Sequence, residues 1–116
     1  MNFTPDFVIA LVALLHLGFM LLEMFYWDKP LGKKVFGLKQ DFASASRTLA
    51  ANQGLYNGFL AAGLLWGLLT GEVAIKTFFL CCVLIAGLYG ALTVNRRILY
   101  IQALPAAAAL ILLFLS

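Results

Sequence analysis

A chain of 116 residues in which 64% of side chains are hydrophobic and 11% charged falls well short of the charge of a soluble domain, where about a quarter is usual. Four membrane-spanning helices of about 20 apolar residues would take roughly 80 positions, which excludes a large extramembrane domain and with it an ordinary soluble active site. The net charge of +3 is too small to imply nucleic acid as a partner.

The first apolar run extends from about Phe7 to Tyr26. No basic segment precedes it and no small-residue cleavage site closes it, so it reads as a retained span rather than a secretory signal. Tyr26 and Trp27 at its end are expected as interfacial anchors. The loop that follows interleaves Lys29, Lys33, Lys34 and Lys39 with Leu31, Val35 and Phe36, a pattern that can lie on an anionic headgroup layer.

Asp41 is the expected N-cap of a second helix beginning at Phe42 and carrying the apolar run from about Leu49 to Leu69. Such a helix exceeds the hydrocarbon thickness, so its first turns, with Arg47, should stand in the interface. A third span covers about Thr77 to Val94 and a fourth about Ile98 to Leu115. Pro105 withdraws the hydrogen bond due to the carbonyl of Ile101 and should kink the fourth.

None of the runs alternates like a strand, and a backbone in lipid must satisfy its own hydrogen bonds. The expectation is an all-α, single-domain, four-helix membrane bundle. Seven of the eight basic residues fall in the two loops joining helices one to two and three to four, with Lys76 alone opposite. The positive-inside rule then makes both loops cytoplasmic and both termini external, in a bacterial inner membrane.

Function is sought among the side chains that hydrocarbon disfavours. His16 and Glu23, seven residues apart on the first helix, share a face and are separated by about 10 Å. They are the candidate proton-transferring residues, and a carboxyl at Glu23 must be protonated, paired or wetted, with Arg96 or Arg97 as candidate partners. Asn52, Gln53, Tyr56 and Asn57 occupy adjoining stripes of the second helix, and Tyr89 and Gln102 join them as candidate ligand-binding groups. Nearly all lie toward the cytoplasmic end, leaving the outer half almost pure hydrocarbon.

The glycine pairs Gly54 with Gly58 and Gly63 with Gly67, and Gly87 with Ala91, are expected to let helices two and three approach closely. The adjacent Cys81 and Cys82 read as packing residues, and no metal-ligand set is visible. No internal repeat supports an inverted-repeat transporter.

The segments Glu23-Met24-Phe25-Tyr26-Trp27, Ala51-Asn52-Gln53-Gly54-Leu55-Tyr56-Asn57-Gly58, Gly87-Leu88-Tyr89-Gly90-Ala91 and Ile98 to Ala106 together resemble a family of small four-helix bacterial membrane proteins classed as a domain of unknown function. That resemblance implies four spans and a membrane location, not an activity. Arg47 and Asn52 are loosely similar to part of the signature of the membrane-associated eicosanoid and glutathione metabolism enzymes, whose His and Glu have no counterpart here. The single first-helix carboxylate is similar to that of small multidrug-resistance transporters.

Three readings remain open. The leading one is a cytoplasm-facing pocket for a small amphiphilic or lipid-like ligand, with or without catalysis and with no cofactor specified by the residues. The others are a proton-coupled exporter acting as a homodimer, and a scaffold or accessory subunit without a ligand. The lipid bilayer, and in the second reading another copy of the chain, are the expected partners.

Overall fold

Helix-forming Leu, Ala and Met fill the first apolar run, and Pro5 just ahead of it stands in the first turn of the helix, where its missing N–H leaves no hydrogen bond unmade. In a computed structural model, which describes residues 3–116, this run is helix α1, Phe3–Phe25. Four more α-helices follow: α2 (Pro30–Phe36), α3 (Gln40–Thr70), α4 (Val73–Thr93) and α5 (Leu104–Leu115). No strand occurs among the described residues.

The helix limits follow local chemistry. Proline opens α2 at the position where its fixed φ suits a first helical residue. Gly37, with φ of 67°, closes it in the left-handed conformation that glycine adopts without strain. Helix α3 starts at Gln40 rather than at Phe42, so Asp41 lies inside its first turn instead of capping it. The Gln40 side chain is held from both sides, accepting from Lys33 Nζ and donating to Ser44 Oγ, which carries the helix back past the expected cap. Gly71, at φ of 72°, ends α3 before the turn into α4.

Ahead of Pro105 the chain forms a π-helical turn, Leu99–Ala103. Its wider winding sends the Leu104 N–H to the Leu99 carbonyl, five residues back. A proline at 105 offers no donor to its own preceding turn, and the π turn is how this helix accommodates the loss.

Helices α1 and α4 are long and apolar enough to cross a membrane. Only 22% of the apolar window of each is buried, whereas the core helix of a soluble protein is mostly buried. Phe7, Leu11, Leu14 and Leu21 on α1, and Phe78, Ile85, Leu88 and Leu92 on α4, point outward. Exposed apolar patches of this kind mark contact with a membrane or with another protein surface.

The chain resolves into two compact units. The first comprises residues 1–14 and 60–116, of which those from 3 onward are described, and the second comprises residues 15–59. The core of the first unit is built from Ile9, Val12 and Ala13 of α1, Leu64 of α3, Leu80 and Val83 of α4, and Ala106, Ala109 and Leu113 of α5. Steps of three and four along each helix give one buried stripe apiece, the pattern of helices packed side by side.

Gly63 and Gly67 belong to this unit and meet α4: Phe79 covers the first, and Ile75 with Lys76 the second. Gly87 of α4 faces the backbone of Ala103 in the π turn. The glycines therefore serve three different contacts, not one seam between the second and third spans, because Gly54 and Gly58 face α1 in the other unit.

Candidate functional site

In the second unit the end of α1 and the first half of α3 run antiparallel. A Cβ on Gly54 would stand 2.7 Å from Met24 Cγ and 3.0 Å from Glu23 Cβ, and one on Gly58 would stand 2.7 Å from Met20 Sδ. At Gly54, where the Met20 carbonyl oxygen also lies 3.1 Å from that Cβ, the two helices approach closely, while at Gly58 the neighbour is the movable tip of Met20. Along this seam Asn57 Nδ2 donates a 2.5 Å hydrogen bond to Glu23 Oε1.

Asn57 is buried and Glu23 half-buried. Asn57 supplies the contact for which Arg96 and Arg97 were the candidates; both arginines are exposed. The bond engages one of the two carboxyl oxygens, Oε1, and a carboxylate can accept at both.

His16 is fully buried two turns earlier on α1, its ring edge-on to Phe19 with centroids 5.7 Å apart. Asn52, Gln53 and Tyr56 lie on the exposed stripe of α3, while Ala50, Gly54 and Asn57 form the buried one. The register that sets Asn57 beside Glu23 and Gly54 beside Met24 also puts Asn52 and Gln53 level with the Phe25 end of α1. Tyr89 is exposed on α4, and Gln102 is half-buried in the π turn; both belong to the other unit.

The unit is finished by Trp27, whose indole Nε1 donates to Ser46 Oγ at 2.9 Å and whose ring packs on Phe36 of α2 at 5.1 Å. Ser46 in turn donates to the Phe42 carbonyl. Asp28 lies 3.8 Å from the Arg47 guanidinium. These contacts tie the turn after α1 to the first turns of α3.

The first unit holds a polar feature that the sequence reading missed. Lys76 of α4 is 5% exposed, and its Nζ donates to Asp6 Oδ1 of α1 at 2.7 Å. The end of α1 away from Glu23 is therefore not purely hydrocarbon, as expected from composition, but carries a buried ion pair. Both residues stand about one turn inside their helices, and that shared depth was the available signal. Among the described residues no group of three His, Cys, Asp or Glu side chains gathers as a metal set.

The chain was compared with known proteins. Residues 10–114 match the model of a family described as protein of unknown function (DUF1304). An uncharacterized protein, YpaA, of Lactococcus lactis subsp. lactis is similar, with 34% identity over 105 residues that cover 87% of this chain and 88% of the relative. No solved structure matches. With nearly its whole length matched, this chain belongs to the DUF1304 family of proteins of unknown function.

Proposed function

We propose that the chain is a multi-pass protein of the bacterial inner membrane, a four-helix bundle with both termini outside, whose Glu23 and Asn57 take the polar head of a small amphiphilic or lipid-like molecule. The observation that carries this reading is the Glu23–Asn57 contact. A carboxyl set among apolar helices is costly and is retained where it has work to do. Here it accepts from the Asn57 amide and has flexible Met20 and Met24 side chains beside it, which adapt to an irregular apolar guest. Asn52, Gln53 and Tyr56 offer further polar groups at the same end of the spans.

The test is native mass spectrometry of the detergent-solubilised protein after exposure to a total bacterial lipid extract. The wild type is expected to retain a small amphiphile. Glu23→Gln keeps the size and the Asn57 contact but loses the charge-assisted hydrogen bond, worth about 1.5–3 kcal/mol, so retention should fall by at least about ten-fold. Equal retention by both proteins removes Glu23 from the site.

A second reading is favoured by the same seam. Glycine packing with an amide bridging two helices is also how a ligand-free scaffold would be stapled. In that case Glu23→Gln changes thermal stability and no bound species.

A further inference from the structure

We propose that α2 is an interfacial helix whose outward face holds anionic phospholipid headgroups. Its inner face is fixed by two contacts. Gly32 is buried against the Tyr26 carbonyl so closely that no side chain fits there, and Phe36 packs on the Trp27 ring. With Gly32 and Phe36 turned inward, helical geometry turns Leu31, Lys34 and Val35 outward, and all three are exposed. Leu31 and Val35, four residues apart, make an apolar strip flanked by Lys29 and Lys34, with Lys39 in the turn beyond Gly37.

The height of this face is set by the helix it leans on. Helix α2 packs at the point where α1 ends, beside Tyr26 and Trp27, the residue types that favour the boundary between hydrocarbon and headgroups. At that level a strip of two aliphatic side chains enters the acyl boundary while lysines meet phosphates.

The charge favours the same occupant. From Tyr26 to Arg47 the chain carries five cations and two carboxylates, so this segment holds the whole net charge of +3. Lys33 is engaged with Gln40, and Arg47 lies near Asp28. Lys29, Lys34 and Lys39 are exposed and in no ion pair among the described residues. Three cations free to meet an anionic surface, set around an apolar strip, match a phospholipid better than a soluble polyanion, which has no use for Leu31 and Val35.

This inference rests on the membrane part of the proposed function and is independent of the Glu23 site. The test uses Trp27, which Trp66→Phe leaves as the sole tryptophan of the full chain. The protein is reconstituted in phosphatidylcholine vesicles containing increasing mole fractions of either brominated phosphatidylglycerol or brominated phosphatidylcholine. Trp27 emission should be quenched at about five-fold lower content of the anionic lipid, one lysine's share of the surface attraction. Replacing Lys29, Lys34 and Lys39 together by glutamine should bring the two curves together.

Identical curves for the parent protein, or a preference that survives the triple change, overturn the proposal and leave the face to an acidic protein segment. Quenching by neither lipid overturns the membrane reading as well.

Discussion

Asp6→Ala should be among the most damaging single changes in the chain, lowering stability by about 3–5 kcal/mol. The reason is the partner it leaves behind. Lys76 is almost wholly buried, its stem against Gly67 and its ammonium 2.7 Å from Asp6 Oδ1. Without the carboxylate the ammonium, on a side chain only 6% exposed, is left without its counter-charge. Lys76→Met on its own should cost less, because Asp6 keeps more solvent contact, with side-chain exposures of 18% for Asp6 and 6% for Lys76.

Combining Asp6→Leu with Lys76→Met removes both charges and should recover most of the loss, since a buried pair replaced by apolar groups is often neutral. Thermal unfolding in detergent measures all three. If the double variant is as unstable as Asp6→Ala, the pair does more than neutralise itself, and the explanation fails.

Gly87→Ala should also destabilise, against the usual sign for such a change. In a helix interior alanine normally gains about 0.5–1 kcal/mol over glycine. At position 87 the added Cβ would lie 2.6 Å from the Ala103 nitrogen and 2.9 Å from its Cα. Backbone atoms of a packed π turn cannot swing aside as a side-chain tip can, so α4 and the π turn must separate, at about 1–3 kcal/mol.

Gly18 of α1 provides the contrast, because a Cβ there meets nothing within 4 Å. Gly18→Ala should be neutral or stabilising in the same unfolding assay. Similar effects at both positions would mean that the approach of α4 to Ala103 is not what Gly87 is for.

These residues illustrate how far a sequence can be read. The helices and their breaks were legible because side-chain hydropathy and proline stereochemistry are properties of local sequence. Pro105 was expected to kink the fourth helix, and the structure has a π turn at Leu99–Ala103 ahead of it. A stripe of glycines announces close approach but not the partner, which depends on how each helix is rotated. Gly54 and Gly58 accordingly face α1, while Gly63 and Gly67 face α4.

Side-chain partnership at long range was less legible still. Asp6 and Lys76 stand 70 positions apart, and each taken alone resembles a surface charge near the end of a span. The polar residues of α3 could be picked out by their cost in hydrocarbon, yet only the helix rotation separates Asn57, buried on Glu23, from Asn52 and Gln53 on the exposed stripe. Helix α2 escaped notice as a helix because seven residues carry too little periodicity to declare one.

The central claim is that the Glu23 carboxyl meets a bound amphiphile, and its infrared stretch reports that contact directly. Glu23 and Glu72 are the two glutamates of the chain, so Glu72→Gln protein made by cell-free synthesis from glutamate labelled with carbon-13 at its side-chain carboxyl carries a labelled carboxyl at Glu23 alone. The spectrum is recorded after exhaustive delipidation and again after adding back the bacterial lipid extract. The proposed function predicts a shifted or split carboxyl band on addition, lost again on renewed delipidation. A band that ignores the extract, while the extract restores thermal stability, would contradict it and leave Glu23 and Asn57 as a clasp between two helices.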